Sequence, residues 1–227
     1  MNANKGQLSR SFFSSQVLSE LRNAIISGKL PAGEKIVESS IAEQMGVSRG
    51  PVRNALFILE NEGLITFLPT GRTVSNGFSL NDAEKLYEMR AFLELKSIEL
   101  LFTEKALHFH QIKHINDELK KNQDDVSEFT RLDVSYHHEL IRLSGNKYLL
   151  QSWLSLCPLI ESVLTITNAR FREKGADGWD KGYVIDHHEK ILTALMTGNL
   201  GNALLFLKEH LDIGKQTMLG QLEEIVK

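Results

Sequence analysis

The sequence predicts a mainly α-helical protein of two domains, and three observations support this fold class. Apolar residues recur at intervals of three or four along most of the 227 residues, as on the buried face of a helix. The two short segments with strand character both precede residue 78. Charge also divides there, because residues 1–78 carry eight basic and six acidic side chains, whereas the remainder carries 18 and 23 together with all eight histidines.

We therefore expect a flexible N-terminal arm over residues 1–14, a first domain over 15–77 and a second over 78–227. The formal net charge of −3 excludes a uniformly basic coat for nucleic acid. A single cysteine, Cys157, excludes an internal disulfide framework and a thiolate zinc cluster and fits a reducing compartment. Without a run of about 18 apolar residues or an apolar secretion signal, the sequence predicts a cytoplasmic protein with no membrane partner.

Three helices and a β-hairpin are predicted in the first domain, with helices over 15–27, 39–45 and 48–62 and strands over 64–67 and 73–75. Val17, Leu21 and Ile25 give the first helix an apolar stripe. Ser48 can cap the third helix, and Pro51 falls in its first turn, where a missing N–H costs nothing. This order of elements predicts a winged helix-turn-helix.

Two arginines near the start of the third helix predict contact with double-stranded DNA. Arg49 and Arg53 are four residues apart and share one face near a helix N-terminus, which favours phosphate. In the major groove, an arginine can donate two hydrogen bonds to guanine. The alternative is a solvated face, which we would favour for an isolated helix. The complete pattern of helices and hairpin around the two arginines favours DNA instead.

The second domain is predicted to be an all-α helical bundle. Helical patterns cover residues 79–105, 108–122, 126–144, 147–173, 182–197 and 201–225, with glycine-containing breaks between several of them. No stretch of this domain shows strand alternation or a tight hairpin signal. Six consecutive helices joined by short breaks are typical of a bundle.

Four side chains of this bundle form a candidate site for one divalent metal ion such as Zn²⁺, Ni²⁺ or Mn²⁺. Asp133 and His137 are four residues apart on one helix face. His188 and His210 lie at nearly equal distances from the break at Gly198, hence at similar heights on two antiparallel helices. The alternative is a set of hydrogen-bonded core histidines and a salt-bridged aspartate. The remaining histidines are expected on solvated faces: His108, His110, His114, His138 and His187.

The first domain resembles the DNA-binding domain of GntR-type bacterial transcription regulators. The resemblance covers about residues 15–77 and rests on ordered motifs such as Gly46-Val47-Ser48-Arg49-x-Pro51-Val52-Arg53 and Leu59-Glu60-x-Glu62-Gly63-Leu64. It implies that Arg49 and Arg53 contact DNA from the recognition helix and that Ser48 reaches a phosphate. At the wing tip, it implies DNA contact by Gly71 and Arg72.

The second domain resembles the helical effector-binding domain of the FadR subfamily of these regulators, known as the FCD type. The resemblance rests on Arg90-x-x-Leu93-Glu94, Asp133-x-x-Tyr136-His137, Ser144-Gly145-Asn146 and the run from His188 to Leu211. It implies that one aspartate and three histidines hold a divalent ion that binds a small carboxylate. It also assigns Arg90 and Asn146 to the effector, although an ion pair with a nearby acid explains Arg90 equally well.

Together these features predict a homodimeric regulator, a repressor by the commoner behaviour of the family, that binds a pseudo-palindromic operator and responds to a small organic acid. Two alternatives stay open at this point. A metal-dependent enzyme acting on a carboxylate would need a general base and a cleft, and no HExxH-like signature is present. A purely structural metal would stabilise the bundle without responding to small acids.

Overall fold

A computed structural model describes residues 3–102, 108–173 and 181–226 of the chain. The chain divides into two compact units, of which the second covers Leu80–Glu224. It begins two residues later than the sequence predicts. Each unit has its own elements and its own core.

The first unit is a winged helix-turn-helix, as predicted. Its elements are α1 (Ala3–Ile26), β1 (Lys35–Ile36), α2 (Glu38–Gln44), α3 (Arg49–Asn61), β2 (Ile65–Phe67) and β3 (Thr73–Ser75). The strands form an antiparallel sheet in the order β1-β3-β2, in which Lys35 pairs with Val74 and Phe67 with Thr73. Strand β1 adds to the hairpin that the sequence predicts.

The core of the first unit joins α1 to α3. Val17 and Ile25 of α1 and Leu56 of α3 are fully buried, which confirms the predicted apolar stripes. Gly46 lies between α2 and α3 with a φ of 64°, a conformation that favours glycine and lets the chain turn sharply between the two helices.

Helix α1 begins at Ala3, whereas the sequence places a flexible arm over residues 1–14. The segment from Ala3 to Ser14 contains one glycine and no proline, so nothing in it breaks the helical hydrogen bonding that continues into the apolar stripe.

The second unit consists of helices throughout its described residues. They are α4 (Leu80–Leu101), α5 (His110–Lys121), α6 (Val126–Leu143), α7 (Lys147–Glu173), α8 (Lys181–Met196) and α9 (Leu200–Val226). The predicted bounds agree within about two residues, except at the end of α4, which stops at Leu101. The rest of the predicted span, up to residue 105, lies largely outside the described residues.

Helix α6 occupies the centre of this bundle. It packs against α4, α5 and α7, and its residues Phe129, Tyr136 and Leu140 are almost fully buried. The same apolar cluster includes Ile191 of α8 and Leu207 of α9. Polar side chains on the inner face of α6 therefore lie inside the bundle, where they require partners.

Helix α7 is long and apolar enough over Lys147–Arg172 to cross a membrane by length and composition, with a mean hydropathy of 1.4 in its most apolar window. Trp153, Ile160 and Val163 of this helix are buried in the bundle. A core helix of a folded domain passes the same test, so this feature is weak evidence for a membrane segment.

Candidate metal centre and nucleic-acid interface

Three helices of the second unit bring the four predicted metal-ligating residues together. Helix α6 supplies Asp133 and His137 one turn apart, α8 supplies His188 and α9 supplies His210. One donor atom from each of the four side chains lies within 4.8 Å of all the others. His188 and His210 thus lie side by side, as their equal distances from the turn at Gly198 predict.

The separations between the donor atoms fit one metal ion. The Nε2 atom of His137 lies 3.1 Å from Nε2 of His210 and 3.3 Å from Nε2 of His188. The Oδ1 atom of Asp133 lies 3.4 Å from Nε2 of His188 and 3.7 Å from Nε2 of His137. Ligands about 2.1 Å from an ion are roughly 3.0 Å apart at right angles and roughly 3.4 Å apart in a tetrahedron. One carboxylate with three imidazoles is also a donor set that suits a divalent transition metal.

His188, His210 and Asp133 have the protonation states that a cation requires. His137 differs, because burial lowers the pKa of its imidazole but Glu94 raises it further, so the net shift is upward. His137 and His188 are fully buried, and His210 is nearly so. Burial, with the neighbouring His210, holds the pKa of His188 well below its usual range. Burial and His137 lower the pKa of His210 to about 3. Burial alone would raise the pKa of Asp133, but its interaction with His137 lowers it, so the carboxylate stays ionised.

The Oδ1 atom of Asp133 is the clearest indication that a cation belongs here. It is buried and accepts no hydrogen bond from the described residues. A buried carboxylate oxygen without a donor is costly, because it has lost its hydration without replacement. A metal ion among the four donors would compensate that oxygen directly.

Glu94 of α4 lies behind the donors, and no role is predicted for it from the sequence beyond its place in a motif. Its Oε2 atom lies 2.5 Å from Nδ1 of His137, and its Oε1 atom accepts a hydrogen bond from Nε of Arg90 at 2.7 Å. Glu94 is fully buried. Burial raises the pKa of this carboxyl group, but His137 and Arg90 lower it further than burial raises it.

Tyr136 holds the His188 ring in place through two contacts. Its ring stacks on the His188 ring at 3.8 Å between centroids and 2° between planes, and its hydroxyl donates to the His188 carbonyl at 2.8 Å. The sequence signal that could have identified it is its place next to His137 in a helix whose inner face carries the ligands. Both contacts restrict the rotation of the imidazole.

A cavity opens directly beside these donors. Its lining includes Asp133, His210 and Arg90 together with the apolar side chains of Phe129, Leu164 and Met218. The volume of the cavity is about 60 Å³. A single water molecule needs roughly 10–15 Å³ on the same measure, so a small organic molecule fits. The Nη2 atom of Arg90 is buried and makes no hydrogen bond to the described residues, which leaves it available to an anion.

In the first unit, the residues predicted to bind DNA are all exposed, on α3 and on the turn between β2 and β3: Ser48, Arg49, Arg53, Gly71 and Arg72. Ser48 occupies the N-cap position of α3 without a side-chain capping bond, so its hydroxyl is not committed there. Arg53 pairs with Glu38 of α2 at 3.0 Å. Gly71 adopts a φ of 77°, which lets the wing turn tightly.

Comparison with known families agrees with both halves of this description. Residues 13–74 match the family of bacterial regulatory proteins called gntR, and residues 85–213 match the FCD domain. The chain belongs to the GntR family, in the group that carries an FCD domain. It is therefore a transcription regulator by family, and the predicted resemblance to both domains is confirmed.

Individual relatives cover nearly the whole chain. This GntR-family protein is 28% identical over 214 residues to a gluconate operon transcriptional repressor of Bacillus licheniformis, which covers 90% of this chain and 84% of that protein. The protein of the same name from Bacillus subtilis is 29% identical with the same coverage. The solved structure of E. coli McbR/YncC has a TM-score of 0.67 at 18% identity, over 92% of this chain and 98% of that one, and shows the shared fold.

Two predicted effector contacts of this GntR-family protein lie in different places. Arg90 fits both of its predicted roles, the ion pair with a nearby acid and the contact with an effector. It forms a buried ion pair with Glu94 and also lines the cavity. The side-chain oxygen of Asn146 instead accepts hydrogen bonds from the backbone of Tyr148 and Leu149, which caps α7, and Asn146 is not among the residues that line the cavity. Its role toward an effector stays a prediction.

For one of the five histidines expected on solvated faces, the prediction is wrong. His187 is buried at 7% exposure, whereas its helical neighbours suggested a position toward the surface. The Tyr183 ring covers the imidazole, with 4.1 Å between the two ring centroids. His138 is half-buried, and His108, His110 and His114 are exposed as predicted.

Proposed function

We propose that this protein is a homodimeric transcriptional repressor whose binding to a pseudo-palindromic operator is modulated by a small carboxylate at a divalent metal ion. The observation that carries the proposal is the group of four converging donors beside a cavity with a free arginine nitrogen. The names of the Bacillus relatives support repression as the activity and make gluconate the first carboxylate to test. A regulator of this kind acts in the cytoplasm, where its operator is.

DNA binding is assigned to the exposed face of α3 and to the wing. In a winged helix-turn-helix the recognition helix enters the major groove, where phosphate contacts position the protein and arginines donate to base edges. Arg49 and Arg53 serve that role here, and the hydroxyl of Ser48 reaches a phosphate. Gly71 and Arg72 approach the minor groove. Two such faces in a dimer match the two half-sites of a pseudo-palindrome.

Effector binding is assigned to the cavity in the second unit. When bound, a divalent ion offers open coordination positions to carboxylate oxygens. The chain itself contributes the unpartnered Nη2 of Arg90, which can donate to the same carboxylate, and the apolar side chains that line the cavity. An effector changes DNA binding only if it binds two conformations of the protein with different affinity.

The DNA-binding assignment is tested by Arg53→Ala in a gel-shift assay against the operator. Losing an arginine that reads a base should weaken specific binding by about 1–3 kcal/mol, or roughly 5- to 150-fold. Arg131→Ala is the matched control, because Arg131 is also an exposed helical arginine in an ion pair, with Glu128 at 2.6 Å. Specific binding that survives Arg53→Ala unchanged would contradict the role of the recognition helix.

The effector assignment is tested by a thermal-shift screen of small organic acids, starting with gluconate, on zinc-loaded protein. Acids that raise the midpoint are then tested for an effect on operator binding. A stabilising acid that also shifts operator affinity supports the proposal. Stabilisation by zinc without a response to any acid favours a structural metal, and turnover of an acid that chelation abolishes favours an enzyme.

A further inference from the structure

We infer that Glu94 is the positioning residue that ties the cavity to the metal donors, because it holds His137 with one oxygen and Arg90 with the other. This inference rests on the proposed function, since it concerns how the same site binds metal and anion together. Glu94 touches neither the space between the four donors nor the cavity itself. Its influence on both would therefore act through its two neighbours.

The two hydrogen bonds use the two carboxylate oxygens separately. Oε2 lies 2.5 Å from Nδ1 of His137, and Oε1 accepts from Nε of Arg90 at 2.7 Å. Glu94 and His137 are both fully buried, and Arg90 is 2% exposed, so water does not compete for these bonds. Arg90 precedes Glu94 by one helical turn on α4, which fixes the spacing between the two partners.

The bond to His137 determines which imidazole nitrogen is free for a metal. An ionised carboxylate can only accept a hydrogen bond, so Nδ1 of His137 carries a hydrogen and Nε2 is the nitrogen whose lone pair a metal would use. That Nε2 atom is the one that faces His188 and His210. Groups that orient metal-binding histidines in this way typically contribute 10- to 100-fold to metal affinity.

The hydrogen bond to Arg90 fixes the position of a side chain that lines the cavity. Glu94 holds Nε, the Tyr87 hydroxyl lies 3.3 Å from Nη1, and Nη2 is left without a partner beside the cavity. Glu94 bonds both this guanidinium and His137, so an anion bound to Nη2 affects His137 through Glu94. Metal and anion should each strengthen the binding of the other, and this coupling should be reciprocal.

The variant Glu94→Gln tests the inference with a readout that does not depend on DNA. A glutamine has one acceptor oxygen, so it can serve His137 or Arg90 but not both. We expect the affinity for Zn²⁺, measured by competition with a chromogenic chelator, to fall 10- to 100-fold. Saturating acetate should tighten zinc binding in the wild type and do so much less in Glu94→Gln.

Glu139→Gln is the matched control, because Glu139 is also buried and also pairs with an arginine, Arg142, at 2.6 Å. It should leave zinc affinity unchanged. Zinc binding by Glu94→Gln as tight as that of the wild type overturns the inference while leaving the proposed function intact. No zinc binding by the wild type overturns both.

Nitrogen NMR of the metal-free wild-type protein tests the same inference without any variant. The Glu94 bond predicts that His137 carries its hydrogen on Nδ1, which the imidazole nitrogen shifts report directly. A His137 ring with a hydrogen on Nε2 and none on Nδ1 would overturn the inference even if Glu94→Gln fails to fold.

Discussion

Cys157 shows how the surroundings of a single side chain set its reactivity. It lies half-buried on α7, where burial and the Glu161 carboxylate one turn away raise the pKa of its thiol to about 11. The thiolate is the nucleophile, and at pH 8 its fraction is about a hundredfold lower for a pKa of 11 than for a pKa of 9. A thiolate of higher pKa is more nucleophilic, so the native protein should react with iodoacetamide about tenfold more slowly than a thiol of pKa 9. The rate should rise about tenfold per pH unit. Urea-unfolded protein, which should react at the ordinary rate, is the control, and an equal native rate would contradict the prediction.

At the same scale, helical spacing predicts the metal donors but not the residues that support them. Asp133 and His137 follow from a four-residue interval, and His188 and His210 from equal distances to a turn. Glu94 is different, because its partner His137 is 43 residues away on another helix. His187 was misplaced because its cover, the ring of Tyr183, depends on how that side chain is oriented rather than on apolar periodicity.

At the scale of the elements, a buried ion pair connects α1 to the end of α3. Arg22 donates from Nε and Nη2 to the two carboxylate oxygens of Glu62, at 2.8 and 2.6 Å. Their side chains are only 7% and 9% exposed. Glu62→Ala would leave the guanidinium buried without its partner, and this should lower the free energy of unfolding by about 3–5 kcal/mol.

Urea denaturation of the full chain measures that loss. The double variant Arg22→Met with Glu62→Leu should recover most of it, because the replacements are apolar and of similar volume. A loss below about 1 kcal/mol for Glu62→Ala alone would show that the pair behaves like an exposed one.

The elements themselves were mostly predictable, and the two departures have simple causes. Strand β1 has two residues, too few to show alternation, and it exists because β3 offers it an edge. The extra turns of α1 lie in a polar segment without an apolar stripe, so periodicity gave no sign of them.

For the whole molecule, the distribution of charge matters more than its sum. The net charge of −3 combines a first part with an excess of basic side chains and a second part with an excess of acidic ones. A DNA-binding face needs only local positive charge, so an acidic sensor domain is compatible with it. The identity of the effector could not be predicted, because five helices, from Tyr87 on α4 to Met218 on α9, line the cavity.

Metal binding should stabilise the whole second unit, because its ligands come from α6, α8 and α9. An ion at 100 times its dissociation constant adds about 2.7 kcal/mol to the folded state. For a chain of this size that corresponds to a rise of roughly 5–10 °C in the melting midpoint. We expect this rise when Zn²⁺ is added to chelator-treated protein, measured by thermal denaturation, and we expect chelation to reverse it.

His210→Ala should abolish the response, since the remaining donors hold the ion less tightly. His114→Ala, which alters an exposed histidine, should retain it. If Zn²⁺, Ni²⁺ and Mn²⁺ all leave the midpoint unchanged, the four buried side chains hold one another rather than a metal.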